Sequence, residues 1–201
     1  MEFSLGKLRL QHFCHRHNCG FLPNRMTERS VELALADWWL LQREEQAVCE
    51  VGAVTPYYWP KRVRRIVDPK DRNLLVTDRD SYMNIDLSES EILSISTFEH
   101  IGMGEYGEPR SPHLVIDALQ KLFRESPQFL ITVPLGYNAS LDSFAHRVRG
   151  VPSDVQRLFL VRSSTGNDWR ETKQPSPKQC HYGEWANCVM FLLRGSQDAI
   201  T

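Results

Sequence analysis

The stretch Ala47-Val48-Cys49-Glu50-Val51-Gly52 (AVCEVG) decides the fold reading. It is a brief apolar run closed by a glycine, and runs of this length suit a strand buried on both faces of a parallel sheet. Four runs downstream share the form, each stopped by a polar residue or a proline. Residues 65–67 run into Asp68, 81–85 into Asp86, 92–95 into Ser96 and Thr97, and 129–133 into Pro134. Before the last of these, residues 112–124 (PHLVIDALQKLFR) place Leu114, Ile116, Leu119 and Phe123 on one side of an amphipathic helix. That helix has the length of a crossover between parallel strands. Upstream of the opening stretch, Thr27 can cap a helix in which Val31, Leu35, Trp38 and Leu41 recur at helical spacing. Glu28 sits near its positive end, Arg29, Glu32 and Arg43 fall on the other side, and the Trp38-Trp39 pair reads as core. Residues 156–162 and 188–193 read as two late strands closing the sheet as an antiparallel edge hairpin. The expected fold is α/β: a doubly wound, seven-stranded, mostly parallel sheet with residues 47–51 central and a helical N-terminal extension. Residues 1–45 form the extension and cap helix, and residues 46–201 the ligand-binding domain.

Bulk properties narrow the function. The 201 residues make one domain with a modest extension, 41% hydrophobic and 24% charged. A formal net charge of −1 provides no field to draw the chain to nucleic acid. The basic run at residues 62–65 reads as a solvated face. No apolar stretch is long enough to span a bilayer, and residues 1–10 lack the pattern of a signal peptide. Five cysteines, an odd number, suit reduced thiols and a cytoplasmic setting. Cys14, His15, His17 and Cys19 are crowded into C-H-x-H-x-C, which lacks the two separated pairs of a zinc site. They are read as a lid segment, with no metal.

In an open parallel sheet, ligands sit beyond the carboxyl ends of the strands. Glu50 and Gly52 close the first strand with a turn that glycine tolerates best. Asp68 closes the second, where a carboxylate can accept both ribose hydroxyls, and Asp86 closes the third, where one can accept from an adenine amino group. Together they point to an adenosine ligand. A dinucleotide is disfavoured, because Gly52-Ala53-Val54-Thr55-Pro56-Tyr57 lacks the G-x-G-x-x-G that admits a pyrophosphate.

The next strand brings Ser94-Ile95-Ser96-Thr97-Phe98-Glu99-His100-Ile101-Gly102. With the E-x-G at Glu50, with Ile131-Thr132-Val133-Pro134-Leu135-Gly136-Tyr137-Asn138 and with Asn24-Arg25-Met26-Thr27-Glu28-Arg29, it resembles a class I S-adenosylmethionine-dependent methyltransferase family of small bacterial proteins. The resemblance implies a Rossmann-like sheet with S-adenosyl-L-methionine over Glu50, Gly52, Asp68 and Asp86, and with Arg25, Glu28 and Ser96 on the cofactor side. It implies an acceptor approaching over Thr97, His100, Tyr137 and Asn138.

The chain departs from that pattern in lacking a second glycine after Gly52, and in carrying Pro56 and Pro60 where a crossover helix would run. Two function classes therefore stand. One is O-methylation of a small-molecule or glycan-linked hydroxyl, with His100 as general base and Glu99 assisting. Against that role for His100 stands simple packing at the start of the following element. The other class is a catalytically inactive protein that holds an adenosyl ligand or a partner. Asn138 followed by Ala139 gives no N-P-P-Y tetrapeptide, which disfavours planar nitrogen acceptors.

Overall fold

The computed structural model describes residues 2–14, 27–105, 109–147, 150–163 and 168–195. The chain opens with a hairpin, β1 (Glu2–Leu5) and β2 (Leu8–Gln11), and then α1 (Glu28–Leu40). β3 (Val48–Val51), β4 (Arg65–Val67) and β5 (Glu91–Ile95) follow, then α2 (Leu114–Glu125), β6 (Gln128–Pro134) and α3 (Ala139–His146). β7 (Gln156–Arg162), β8 (Trp169–Thr172) and β9 (Cys188–Arg194) complete it. The main sheet has seven strands in the order β4-β3-β5-β6-β9-β7-β8. β4, β3, β5 and β6 are parallel neighbours, and the ladders β6–β9, β9–β7 and β7–β8 are antiparallel.

This corrects the expected doubly wound, mostly parallel sheet. Half of its ladders are antiparallel, and three α-helices are present among the described residues. The links from β3 to β4 and from β4 to β5 carry single 3-10 turns at Thr55–Tyr57 and Tyr82–Asn84. Pro56 suits the first turn of such a helix, and Pro60 cannot continue one. The expected strand at residues 81–85 is that second turn. There Asp80 accepts from Ser81 N at 2.6 Å and from Asn84 Nδ2 at 2.9 Å, and Ser81 Oγ accepts from Met83 N at 3.3 Å. Short polar side chains thus hold the backbone in a turn instead of a ladder. With no strand formed there, residues 48–51 lie second from the sheet edge rather than at its centre. Nor do β7 and β9 form an edge hairpin: β9 is inserted between β6 and β7, and β8 takes the edge. The start of the N-terminal extension is a β-hairpin, not helical.

The helices cover opposite faces. α1 packs with Val48, Ile66, Leu93, Leu130 and Phe191 on one side, and α2 and α3 pack with Cys49, Ile92, Phe129 and Met190 on the other. α2 is the crossover between parallel β5 and β6, as its apolar stripe anticipates. α1 departs from its sequence reading at both ends and on its polar side: Leu41, expected on the apolar face, follows the last helical residue and is 68% exposed, and Arg43, expected on the polar side, is buried against Glu91. The Thr27 side chain makes no cap hydrogen bond, its carbonyl instead accepting from Ser30 N at 3.0 Å and Ser30 Oγ at 2.7 Å. Glu32, expected on the polar side, is fully buried.

Glu32 works as a clamp. Its carboxylate accepts from Ser96 Oγ at 2.7 Å and from Thr132 Oγ1 at 2.7 Å, so that α1 is tied to the ends of both β5 and β6. Glu32→Ala strands two hydroxyls, one buried and one half-buried, and is expected to lower the unfolding free energy in urea by roughly 2–4 kcal/mol with an unchanged m-value. An unchanged midpoint would show that the clamp contributes nothing to stability.

Candidate functional site

Beyond the carboxyl ends of β3, β4 and β5 lies a cavity of about 510 Å³. The chain runs outward from β3 to β4 and then returns across β3 to β5, so the crevice opens where the strand order reverses. Its walls are largely apolar: Val51, Val67, Tyr82, Met83, Ile101 and Leu114. Its polar lining comes from Asp68, Lys70, Ser81, Thr97 and His100. A larger, more open depression of about 710 Å³ lies on the approach to β4, between Trp59, Arg62, Arg64 and Leu74. It takes in Arg62 and Arg64 of the basic run but none of the candidate cofactor or acceptor residues, and the smaller crevice is the better-formed site.

Gly52 makes the crevice possible. Its φ is +87°, and a Cβ placed there would lie 1.9 Å from Thr97 Oγ1. The turns leaving β3 and β5 therefore touch in a way that only a residue without a side chain allows. Ser94 Oγ donates to Val51 O at 2.8 Å and holds the two strand ends in register.

The expected residues divide. Gly52, Asp68, Thr97 and His100 line the cavity. Asp68 accepts from Ala53 N at 3.0 Å through Oδ2, and from Lys70 N and Asp71 N at 2.8 Å through Oδ1. A carboxylate has about four acceptor positions, so Oδ2 keeps room for one more donor. Glu50 lies outside the lining. Its carboxyl turns into its own loop and accepts from Val54 N at 3.0 Å, Thr55 N at 2.8 Å and the Thr55 hydroxyl. Burial pushes it up to about 7, against the lowering effect of those bonds. Asp86 ends no strand and is exposed, accepting from Ser88 N at 2.9 Å, a bond that holds it below the usual carboxylate range. Ser96, held at φ +43°, is committed to Glu32. Arg25 lies outside the described residues, as do His15, His17 and Cys19 of the Cys/His cluster; Cys14 is exposed.

Among the residues expected to meet an acceptor, His100 Nδ1 is 2.6 Å from Glu105 Oε2, and its Nε2 is 3.6 Å from Glu99 Oε1. Its ring centroid is 4.9 Å from that of Tyr137, which in turn is 5.1 Å from that of Tyr182. Asn138 is buried and structural: its amide donates to Glu99 O at 3.2 Å, and its Oδ1 caps α3 by accepting from Ser140 N at 3.0 Å. Glu99 is 1% exposed and raised well above the ordinary carboxyl range by burial, with Glu32 adding to the effect. Glu28 is pushed up to about 7, again chiefly by burial.

Glu32, Tyr82, Met83, Leu114 and Tyr182 were missed as contributors from the sequence. Glu32 had a signal, because it follows Glu28 by one helical turn beside Val31 and Leu35. Tyr182 had none, since it comes from an irregular polar excursion. Comparisons with protein-family models, curated proteins and solved structures found no match.

The buried carboxyls set a pH dependence. Burial pushes the Glu28 and Glu50 carboxyls up to about 7 in the folded chain, above the 4.5 of an ordinary glutamate, so the native state binds the extra protons. The stability they contribute is complete below about 4.5 and is lost as pH rises through about 7. The thermal midpoint is expected to be higher at about pH 5.5 than at about pH 8.5, and Glu50→Gln to narrow the difference. A midpoint that rises with pH across this window would contradict these assignments.

Proposed function

We propose that the crevice binds S-adenosyl-L-methionine and that the chain transfers its methyl group to the hydroxyl of a small-molecule or glycan-linked acceptor. The observation that carries this reading is the crevice itself. An apolar slot of about 510 Å³ at a reversal of strand order, with a carboxylate at its rim, suits an adenosyl group: a flat base against Met83 and Leu114 and a ribose hydroxyl on Asp68 Oδ2. The sulfonium of such a ligand supplies a methyl group already activated for displacement. The chain's own task is then to orient the acceptor and exclude water, which can account for up to about 7–11 kcal/mol of a barrier. Glu105 holds His100 Nδ1 and so orients Nε2, the atom that takes the acceptor's proton. Tyr137 packs on the ring and limits its rotation.

One observation favours the second reading, an adenosyl-binding protein without transfer. Glu50 is consumed by Val54 and Thr55, and the loop after Gly52 is a closed 3-10 turn, so fewer polar groups remain for the methionine end.

Calorimetry with S-adenosylhomocysteine tests the shared claim. Saturable binding is expected, weakened about ten- to a hundredfold by Asp68→Ala, the loss of one charge-assisted hydrogen bond. Because Asp68 also holds backbone amides, Leu114→Trp serves as a second variant that fills the slot while leaving those bonds intact. Binding untouched by both variants would sink the assignment. For transfer, His100→Ala is expected to lower turnover by about 10²–10⁴ with little change in ligand affinity. A variant with near-wild-type turnover would leave His100 a packing residue.

A further inference from the structure

The polar excursion between β8 and β9 brings two cysteines together. Tyr182 and Ala186 form an antiparallel bridge, with Asn187 N donating to His181 O at 3.2 Å and Gly183 N to Trp185 O at 3.4 Å. Those bonds make 181/187 and 183/185 the hydrogen-bonded pairs, and 182/186 a non-hydrogen-bonded pair. Two residues back in the same register, Cys180 stands opposite Cys188, again in a non-hydrogen-bonded position and on the face that Tyr182 and Ala186 share. Cα atoms at such positions are about 4.5 Å apart, inside the span of about 4.4–6.8 Å that a disulfide bridges without moving the backbone. Both cysteines are also anchored to the turn after β6. Leu135 N donates to Cys188 O at 2.9 Å, and a Cβ on Gly136 would lie 2.6 Å from the Cys180 carbonyl oxygen. Both thiols are free.

The two thiols differ in their surroundings. Cys188 is fully buried, whereas Cys180 is half-buried and its Sγ lies 3.9 Å from Nε2 of His146, the last residue of α3. Interaction with the Cys188 thiol draws Cys180 below the ordinary thiol range, with burial and the Asp142 carboxylate opposing. The same interaction pushes Cys188 up, and burial adds to the rise. Cys180 is thus the accessible sulfur that ionises first, and Cys188 its protonated neighbour. A metal ion fits less well, since among the described residues no three His, Cys, Asp or Glu side chains are grouped to hold one. We propose that Cys180 and Cys188 are a peroxide-responsive thiol pair that closes to a disulfide. The Cys180 thiolate attacks one oxygen of hydrogen peroxide. The O–O bond breaks, hydroxide leaves with the proton that Cys180 gave up on ionising, and the sulfur becomes a sulfenic acid. The Cys188 sulfur then attacks the sulfenic sulfur. The S–S bond forms, the S–O bond breaks, and the hydroxyl departs as water with the Cys188 proton. Two thiols lose two electrons, and one peroxide becomes two waters. The new bond ties the base of the loop whose Tyr182 ring packs on Tyr137. The pair lies outside the crevice lining, so its test is independent of any S-adenosyl ligand.

The test exposes the reduced full chain to hydrogen peroxide, blocks the remaining thiols with N-ethylmaleimide and maps the tryptic peptides by mass without reductant. Both cysteines fall in one peptide, residues 179–194. Closure therefore reads as the loss of two hydrogens from that peptide and its failure to take up the blocking reagent until dithiothreitol is added. Most of the peptide is expected to close, while the buried Cys49 stays reduced. In Cys188→Ser, dimedone present during the treatment is expected to label Cys180, the sulfenic acid having lost its resolving partner. Cys180→Ser is expected to abolish closure and to leave Cys188 without dimedone. A peptide that keeps both thiols free at peroxide levels that oxidise the exposed Cys14, a disulfide from either cysteine to a different one, or dimedone on Cys188 in Cys180→Ser would overturn the proposal. Mapping of the unaltered chain decides the matter even if a variant fails to fold.

Discussion

The Glu32 carboxylate is the contact on which the β5–β6 half of the structure depends. It sits with no solvent exposure between α1 and the ends of β5 and β6, taking hydrogen bonds from Ser96 and Thr132. An ion placed there loses its hydration, so it is tolerable only where donors replace water. Two hydroxyls do so, and Arg29 stands 3.7 Å away. In return, Ser96 is held at φ +43°, a conformation uncommon for a residue with a side chain. That bend turns the chain out of β5 and aims Thr97 and His100 over the crevice. The same charge raises the neighbouring Glu28 and Glu99 carboxyls, so one anchor shapes both the backbone and the electrostatics of the site.

The other half of the site depends on an absence of atoms. Gly52 and Thr97 approach too closely for any side chain on the first, and this contact fixes the spacing of the β3 and β5 turns. Asp68 then serves two purposes. It pins Ala53, Lys70 and Asp71 through their amides, and it keeps an acceptor position at the cavity rim. A loop braced in this manner presents a preorganised carboxylate, which lowers the ordering cost of binding.

Much of this was readable in the sequence, for a clear reason. The apolar runs of β3, β5 and β6 and the stripe of α2 are local patterns, and local patterns survive folding where burial is complete. Gly52 and Asp68 were found because strand ends mark ligand crevices. What was missed depended on contacts distant in sequence or on competition between local options. The segment 81–85 looks like a strand until Asp80, Ser81 and Asn84 are seen to bond one another. Pro56 and Pro60 do mark in the sequence that the first crossover carries no long helix, and the chain there forms a single 3-10 turn. Glu50 reads as a ligand contact because it precedes a glycine, but Thr55 lies close enough to claim it. The juxtaposition of Tyr182 with Tyr137 joins segments far apart in the chain through an irregular excursion, where periodicity is silent.

The central claim is that the crevice between the ends of β3 and β5 holds an adenosyl ligand. A crystal structure of the complex with S-adenosylhomocysteine tests it most directly. The account predicts ribose density within hydrogen-bonding distance of Asp68 Oδ2, the base between Met83 and Leu114, and the sulfur directed toward Thr97 and His100. Ligand density in the open depression beside Trp59 and Arg62, or a ribose that does not touch Asp68, would contradict it.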